Sequence, residues 1–121
     1  MILAAVDDLL FSSKIRTTAK QAGVELIFAR TPPEILERAR AHHPSLVIFD
    51  LDSGKANPVD TINTMKRDPD LSSIRTLGFV SHVHTGLIDA ARAAGVDDVM
   101  ARSAFAARLA EILVAASPAK P

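Results

Sequence analysis

Cysteine is absent from this chain, which excludes disulfides, thiolate catalysis and cysteine-based zinc sites. Tryptophan and tyrosine are missing too, and phenylalanine occurs only five times. A core must therefore be packed from Leu, Ile, Val and Ala. Neither sign of charge is in excess: 14 Lys and Arg balance 14 Asp and Glu. That balance gives no electrostatic case for nucleic acid or for an anionic membrane. Long hydrophobic runs are also lacking, and the first one, Ile2–Val6, is far too short to span a bilayer. With a strand expected from Ile2, no space is left for a signal peptide, so a cytoplasmic location is the default expectation. Gly-rich phosphate loops and Ser/His/Asp triads of recognisable spacing are missing as well.

What is present is enough for one core. The 121 residues match the usual size of a single domain, and 48% of them are hydrophobic, which argues against disorder. Residues 1–116 are expected to form the domain, without room for a separate effector unit. Residues 117–121, with two prolines, read as a frayed tail resembling the start of a linker.

Five short apolar runs alternate with five amphipathic stretches. The runs are Ile2–Val6, Val24–Phe28, Leu46–Phe49, Leu77–Val80 and Val99–Ala101. Most are continuously apolar, the pattern of strands buried on both faces of a parallel sheet. Glu25 interrupts the second, which suits an edge strand. The first helix is expected over Ser12–Ala22, with Gly23 as its stop. Thr31-Pro32-Pro33-Glu34 reads as a capping box opening a helix that ends near His42. Asn57-Pro58 opens a third, Thr85–Ala94 forms a fourth with Gly95 as its stop, and a continuous helix is expected over Ser103–Ala115. His42 and His43 fall at a helix C-terminus, where partial positive charge is favourable, and read as capping. Such alternation predicts a doubly wound α/β fold, with helices on both faces of a parallel sheet.

In that architecture ligands bind beyond the carboxyl ends of the strands. Asp7 and Asp8 follow the first strand, and Asp50 and Asp52 follow the third. Those two strands are neighbours in a doubly wound sheet, so the carboxylates converge. Like charges held close together repel unless a cation or proton intervenes, and Mg²⁺ with its preference for carboxylates and water is the natural partner. Either pair alone could equally cap a helix; the two together favour a site. His82 and His84, two residues apart, are read as solvated loop residues rather than as ligands of a transition metal.

The ordered set of these features resembles the receiver domain of two-component response regulators. Ile2-Leu3-Ala4-Ala5-Val6-Asp7-Asp8 is similar to the opening of that family, Pro44-Ser45-Leu46-Val47-Ile48-Phe49-Asp50-Leu51 to its phosphoacceptor strand, and Ala94-Gly95-Val96-Asp97-Asp98 to the approach to its fifth strand. The resemblance covers essentially the whole chain. It implies a flavodoxin-like (βα)5 three-layer sandwich with strand order 2-1-3-4-5. It also implies that Asp50 is the phosphoacceptor, that Asp8 binds Mg²⁺ directly and Asp7 through water, that the Asp52 carbonyl completes the metal shell, and that Ser81 contacts the phosphoryl group. The partners implied are a histidine kinase or phosphotransfer protein and a downstream effector, with a signalling role rather than an enzymatic one. Output would leave through the face of the fourth helix, fifth strand and fifth helix.

Five positions depart from the family's pattern. Arg102-Ser103 stands where Lys-Pro is usual, and Arg is not a conservative swap for Lys. Arg102 could pair with Asp50 or a phosphate, or face solvent. Val99 replaces the aromatic residue that changes rotamer on activation, His82 replaces a small residue beside the phosphorylation site, and Gly54 replaces a proline in the loop after Asp50. These departures leave open a second reading, a pseudo-receiver that binds partners without phosphorylation. A hydrolase using the same acidic site rests on fold analogy alone.

Overall fold

The computed structural model describes residues 1–81 and 84–117. Its strands are β1 (Ile2–Ala5), β2 (Leu26–Phe28), β3 (Leu46–Asp50), β4 (Arg75–Val80) and β5 (Asp98–Ala101). They form one parallel sheet in the order β2-β1-β3-β4-β5. The helices are α1 (Leu9–Ala22), α2 (Pro32–His42), α3 (Pro58–Arg67), α4 (Thr85–Ala94), α5 (Arg102–Ala107) and α6 (Leu109–Ala116). Among the described residues no helix is long and apolar enough to cross a membrane.

Strand alternation divides the core between two faces of the sheet. Leu3, Ala5, Val47 and Phe49 join Ile35, Ile62, Met65 and Ala91 on the side of α2, α3 and α4. Ile2, Ala4, Ile48, Leu77 and Phe79 join Phe11, Ile15, Phe105 and Leu113 on the side of α1, α5 and α6. β1 and β3 are buried on both faces, as their continuous apolar runs require. Each fully buried Leu, Ile or Phe here contributes about 1.5–3 kcal/mol of hydrophobic stabilisation.

Local chemistry sets the boundaries, and several differ from the expected ones. α1 begins at Leu9, three residues before Ser12, because the Asp8 side chain caps it by accepting from the Phe11 N–H at 3.1 Å. Its first two residues, Leu9 and Leu10, face solvent, so apolar periodicity could not mark the start. β2 omits Val24 and Glu25, since the Val24 N–H is committed to the Ala19 carbonyl in the left-handed turn at Gly23. β4 starts at Arg75, ahead of its apolar stretch, and pairs Arg75 with Leu46 and the buried Thr76 with Val47. The capping box at Thr31 does not form: Glu34 accepts instead from the Arg30 N–H at 2.6 Å, one residue before the cap, and the Thr31 side chain caps nothing. His43 does end α2, in the left-handed conformation, with its N–H on the Ala39 carbonyl.

The expected helix over Ser103–Ala115 is two helices. Arg108, at φ −108° and ψ 15°, separates α5 from α6. The hydrogen-bond ladder still crosses it, from the Arg108 N–H to the Ala104 carbonyl and from the Ile112 N–H to the Arg108 carbonyl. No glycine or proline marks this break in the sequence.

Candidate functional site

The carboxyl ends of β1, β3 and β4 point the same way in the parallel sheet, and the loops leaving them carry the acidic residues. Asp50 is the last residue of β3, in register with Phe79 of β4, and only 4% of its surface is exposed. Its Oδ1 accepts a hydrogen bond from the Asp52 N–H at 3.0 Å. Burial pushes the Asp50 carboxyl above the ordinary carboxylate range, and the charges of Asp52 and Asp7 add to this. The Asp52 N–H and the Arg102 guanidinium oppose the rise without cancelling it.

Asp8 has two partners. One oxygen caps α1, and the other receives the Arg102 guanidinium, Nη2 to Oδ2, at 2.7 Å. The Phe11 N–H, and then Arg102, hold its carboxyl below the usual value. Arg102, the first residue of α5, also lies over the ring of Phe11, 4.8 Å from its centroid. Of the two placements the sequence left open for Arg102, beside Asp50 or in solvent, neither describes its hydrogen bond, which goes to Asp8. It is nonetheless near enough to Asp50 to act on its charge.

Asp7 accepts a hydrogen bond from Ser53 Oγ at 3.1 Å, and Ser53 Oγ itself receives the Ala56 N–H at 3.3 Å. Ser53 is buried and ties the loop after β3 to the end of β1. Asp52 Oδ2 accepts the Ser81 N–H at 3.1 Å, and the His84 Nε2 stands 3.5 Å from Asp52 Oδ1. Asp52 thus tethers the loop after β4, and His84 is a neighbour of the acidic site as well as a partly solvated loop residue. Position 82 lies outside the described residues. Val99 packs against the core beneath α4 and pairs with Gly78.

Sequence reasoning named Asp7, Asp8, Asp50, Asp52, Ser81 and Arg102, and all of them lie in or beside the loops at this end of the sheet. It missed Ser53, His84 as a partner of Asp52, and the aromatic ring under Arg102. Phe11, Phe79 and Phe105 form one cluster there, with Phe79 and Phe105 stacked at 4.7 Å. A serine in a loop gives no signal of its pairing, whereas an acidic pair after a strand does.

The donor chemistry of Asp7, Asp8, Asp50 and the Asp52 carbonyl is all hard oxygen, which suits Mg²⁺. The Asp50 carboxyl, raised first by burial and then by the charges of Asp52 and Asp7, fits a site that gains from a cation. In the present arrangement, however, no group of three or more His, Asp or Glu side chains among the described residues is placed to hold a metal ion.

Comparison with known proteins decides the fold. The chain superposes on a response regulator from Hahella chejuensis with a TM-score of 0.82 at 17% identity, covering 95% of this chain and 92% of that one. The fold is that of response-regulator receiver domains. The chain also matches the phosphorylated cyanobacterial phytochrome response regulator RcpA (TM-score 0.77, 21% identity, 93% of this chain and 86% of that one). A third match is the Mn²⁺-bound form of the response regulator Rcp1 (TM-score 0.76, 17% identity, 92% and 89%). No protein-family profile and no curated protein sequence matches the chain. The receiver fold thus persists here at identities where sequence comparison no longer finds it.

Proposed function

We propose that the chain is a receiver switch that accepts a phosphoryl group on Asp50 from a histidine kinase or phosphotransfer protein in the cytoplasm. The observation that carries this reading is the position of Asp50. It ends the central strand at the ligand-binding edge of the sheet, hydrogen-bonded by the Asp52 N–H and within the field of Arg102. A carboxylate oxygen of Asp50 would form the O–P bond while the P–N bond of a phosphohistidine breaks, its electron pair leaving on the imidazole nitrogen. Mg²⁺ held by Asp7, Asp8, Asp50 and the Asp52 carbonyl would supply charge neutralisation between the anions. Ser81, at the end of β4, and Arg102 are the residues of this chain suited to the equatorial oxygens of the phosphoryl group. That one structural neighbour is phosphorylated and another holds Mn²⁺ supports the reading by analogy of fold. Its test is intact mass after incubation with a small-molecule phosphodonor and Mg²⁺. One phosphate adduct, absent from Asp50→Asn, is expected, and no adduct in the wild type would reject it.

A second reading, a pseudo-receiver acting through contact alone, is favoured by one specific observation. Asp8, the residue that would grip the metal, is already paired with Arg102. Under that reading the protein is indifferent to Mg²⁺ and to phosphodonors.

A further inference from the structure

Asp8 and Arg102 form an ion pair within the acidic edge and its loops. The geometry is that of a held contact rather than a passing one. Arg102 Nη2 lies 2.7 Å from Asp8 Oδ2, and its guanidinium carbon stands 4.8 Å from the Phe11 ring centroid. Phe11 is buried against Phe79 and Phe105 and cannot easily move away. The other oxygen of Asp8 is committed to the Phe11 N–H. Each oxygen of the carboxylate therefore has one partner, a helix start for Oδ1 and a cation for Oδ2. Meanwhile Asp7 is turned to Ser53 and Asp52 to Ser81 and His84. Each acid of the cluster has a partner from the chain itself.

We infer that Arg102 is an internal cation that competes with a divalent metal ion for the Asp8 carboxylate, so that metal entry and the release of Arg102 are one event. The inference rests on the reading of Asp50 as a phosphoacceptor with a metal beside it. In the state described, the guanidinium neutralises Asp8 and the acids stay apart. An ion bound to Asp8 turns Arg102 loose, close to Asp50, where its charge already acts. Because Arg102 is also the first residue of α5, the exchange of one cation for another is felt at the start of that helix. A lysine at this position would make a point contact, without a planar guanidinium placed over Phe11. The departure from the family's usual lysine is thus what strengthens the hold.

The test is calorimetric titration of Mn²⁺ into the full chain, without any phosphodonor, for wild type, Arg102→Met, Arg102→Lys and Asp8→Asn. Arg102→Met keeps bulk over Phe11 and removes the charge. It is expected to bind Mn²⁺ roughly tenfold more tightly than wild type, the scale set by a half-exposed ion pair together with a cation–π contact. Arg102→Lys should fall between the two, and Asp8→Asn should lose the metal. Phe11→Leu, which leaves both charges in place, should also tighten Mn²⁺ by a smaller factor, and it stands in if Arg102→Met does not fold. If wild type and Arg102→Met bind Mn²⁺ equally, the competition is refuted while the metal site survives. If no variant binds Mn²⁺, the metal-assisted reading of the site falls together with the competition. A phosphate adduct on Asp50 is measured separately, so the two failures are distinguishable.

Discussion

Asp52 and Ser81 are bridged by a 3.1 Å hydrogen bond from the Ser81 N–H to Asp52 Oδ2. This contact joins the loop leaving β3 to the loop leaving β4. It places a backbone group of one candidate phosphoryl-binding residue under the control of an acidic side chain two positions into the site's other loop.

Replacing Asp52 with Ala should therefore loosen the loop after β4 without unfolding the domain. The contact is solvent-accessible, so the stability loss should stay within about 1 kcal/mol. Amide hydrogen exchange at Ser81 is expected to accelerate, while exchange in β1 and β3 is unchanged. Equal protection of Ser81 in both proteins would remove Asp52 from its role as tether.

The buried carboxyl of Asp50 gives a pH dependence whose sign can be worked out. Its pKa is raised in the folded state, so the neutral form is the one that folding favours. The resulting penalty is absent below the unfolded value and fully present above the folded one. Asp50→Asn should thus be more stable than wild type at neutral pH, by about 1.4 kcal/mol for each unit by which the pKa is raised. The advantage should shrink as pH falls through the folded pKa toward 3.8, the ordinary value. Urea denaturation of both proteins across this range measures it, and a pH-independent difference would show that the carboxyl is not strained by burial.

Gly78 is fixed by close packing rather than by backbone conformation. A Cβ there would lie 2.9 Å from Leu51 Cγ and Cδ1, and Leu51 is itself buried. Gly78→Ala should cost about 1–3 kcal/mol, and Leu51→Ala about 2–5 kcal/mol by leaving a void. Together they should cost clearly less than the sum, because the new methyl enters the space Leu51 vacates. Strict additivity in a double-mutant cycle would contradict the contact.

Thr76 holds the turn before β5. It is fully buried, its Oγ1 donates to Asp97 Oδ2 at 3.1 Å, and it accepts the Asp97 N–H at 3.1 Å. Lys66 Nζ reaches the same Asp97 oxygen at 2.8 Å. Thr76→Val preserves shape but strands the Asp97 N–H, and should cost about 1–3 kcal/mol by chemical denaturation. A neutral result would mean that water takes over the bond.

The fold was legible where burial on both faces made a strand continuously apolar. Leu46–Phe49 and Ile2–Ala5 are such cases, and they place the sheet's centre. Legibility failed where polar residues serve the sheet. Arg75 and Thr76 belong to β4 because Asp98 and Asp97 receive them across the strand boundary, a pairing between residues more than 20 apart that no local window contains. The split at Arg108 leaves no trace for a different reason, since no glycine or proline marks it and the hydrogen bonds on either side of it are helical. At the site, the spacing of Asp7, Asp8, Asp50 and Asp52 was enough to place the acids at one edge. Which partner each acid takes was not legible, because Ser53, Phe11 and Arg102 reach them from separate elements. Val99 brings no ring to the site. The rings are supplied instead by Phe11, Phe79 and Phe105, on a helix, a strand and a second helix.

The most direct measurement of the central claim is chemical localisation of the phosphoryl group. The chain is treated with phosphodonor and Mg²⁺, reduced with borohydride and digested, and the peptides are mapped by mass spectrometry. An acyl phosphate on Asp50 would be converted to homoserine at position 50 alone, and this is the result expected. Unmodified Asp50, or homoserine at Asp7, Asp8 or Asp52 instead, would contradict it.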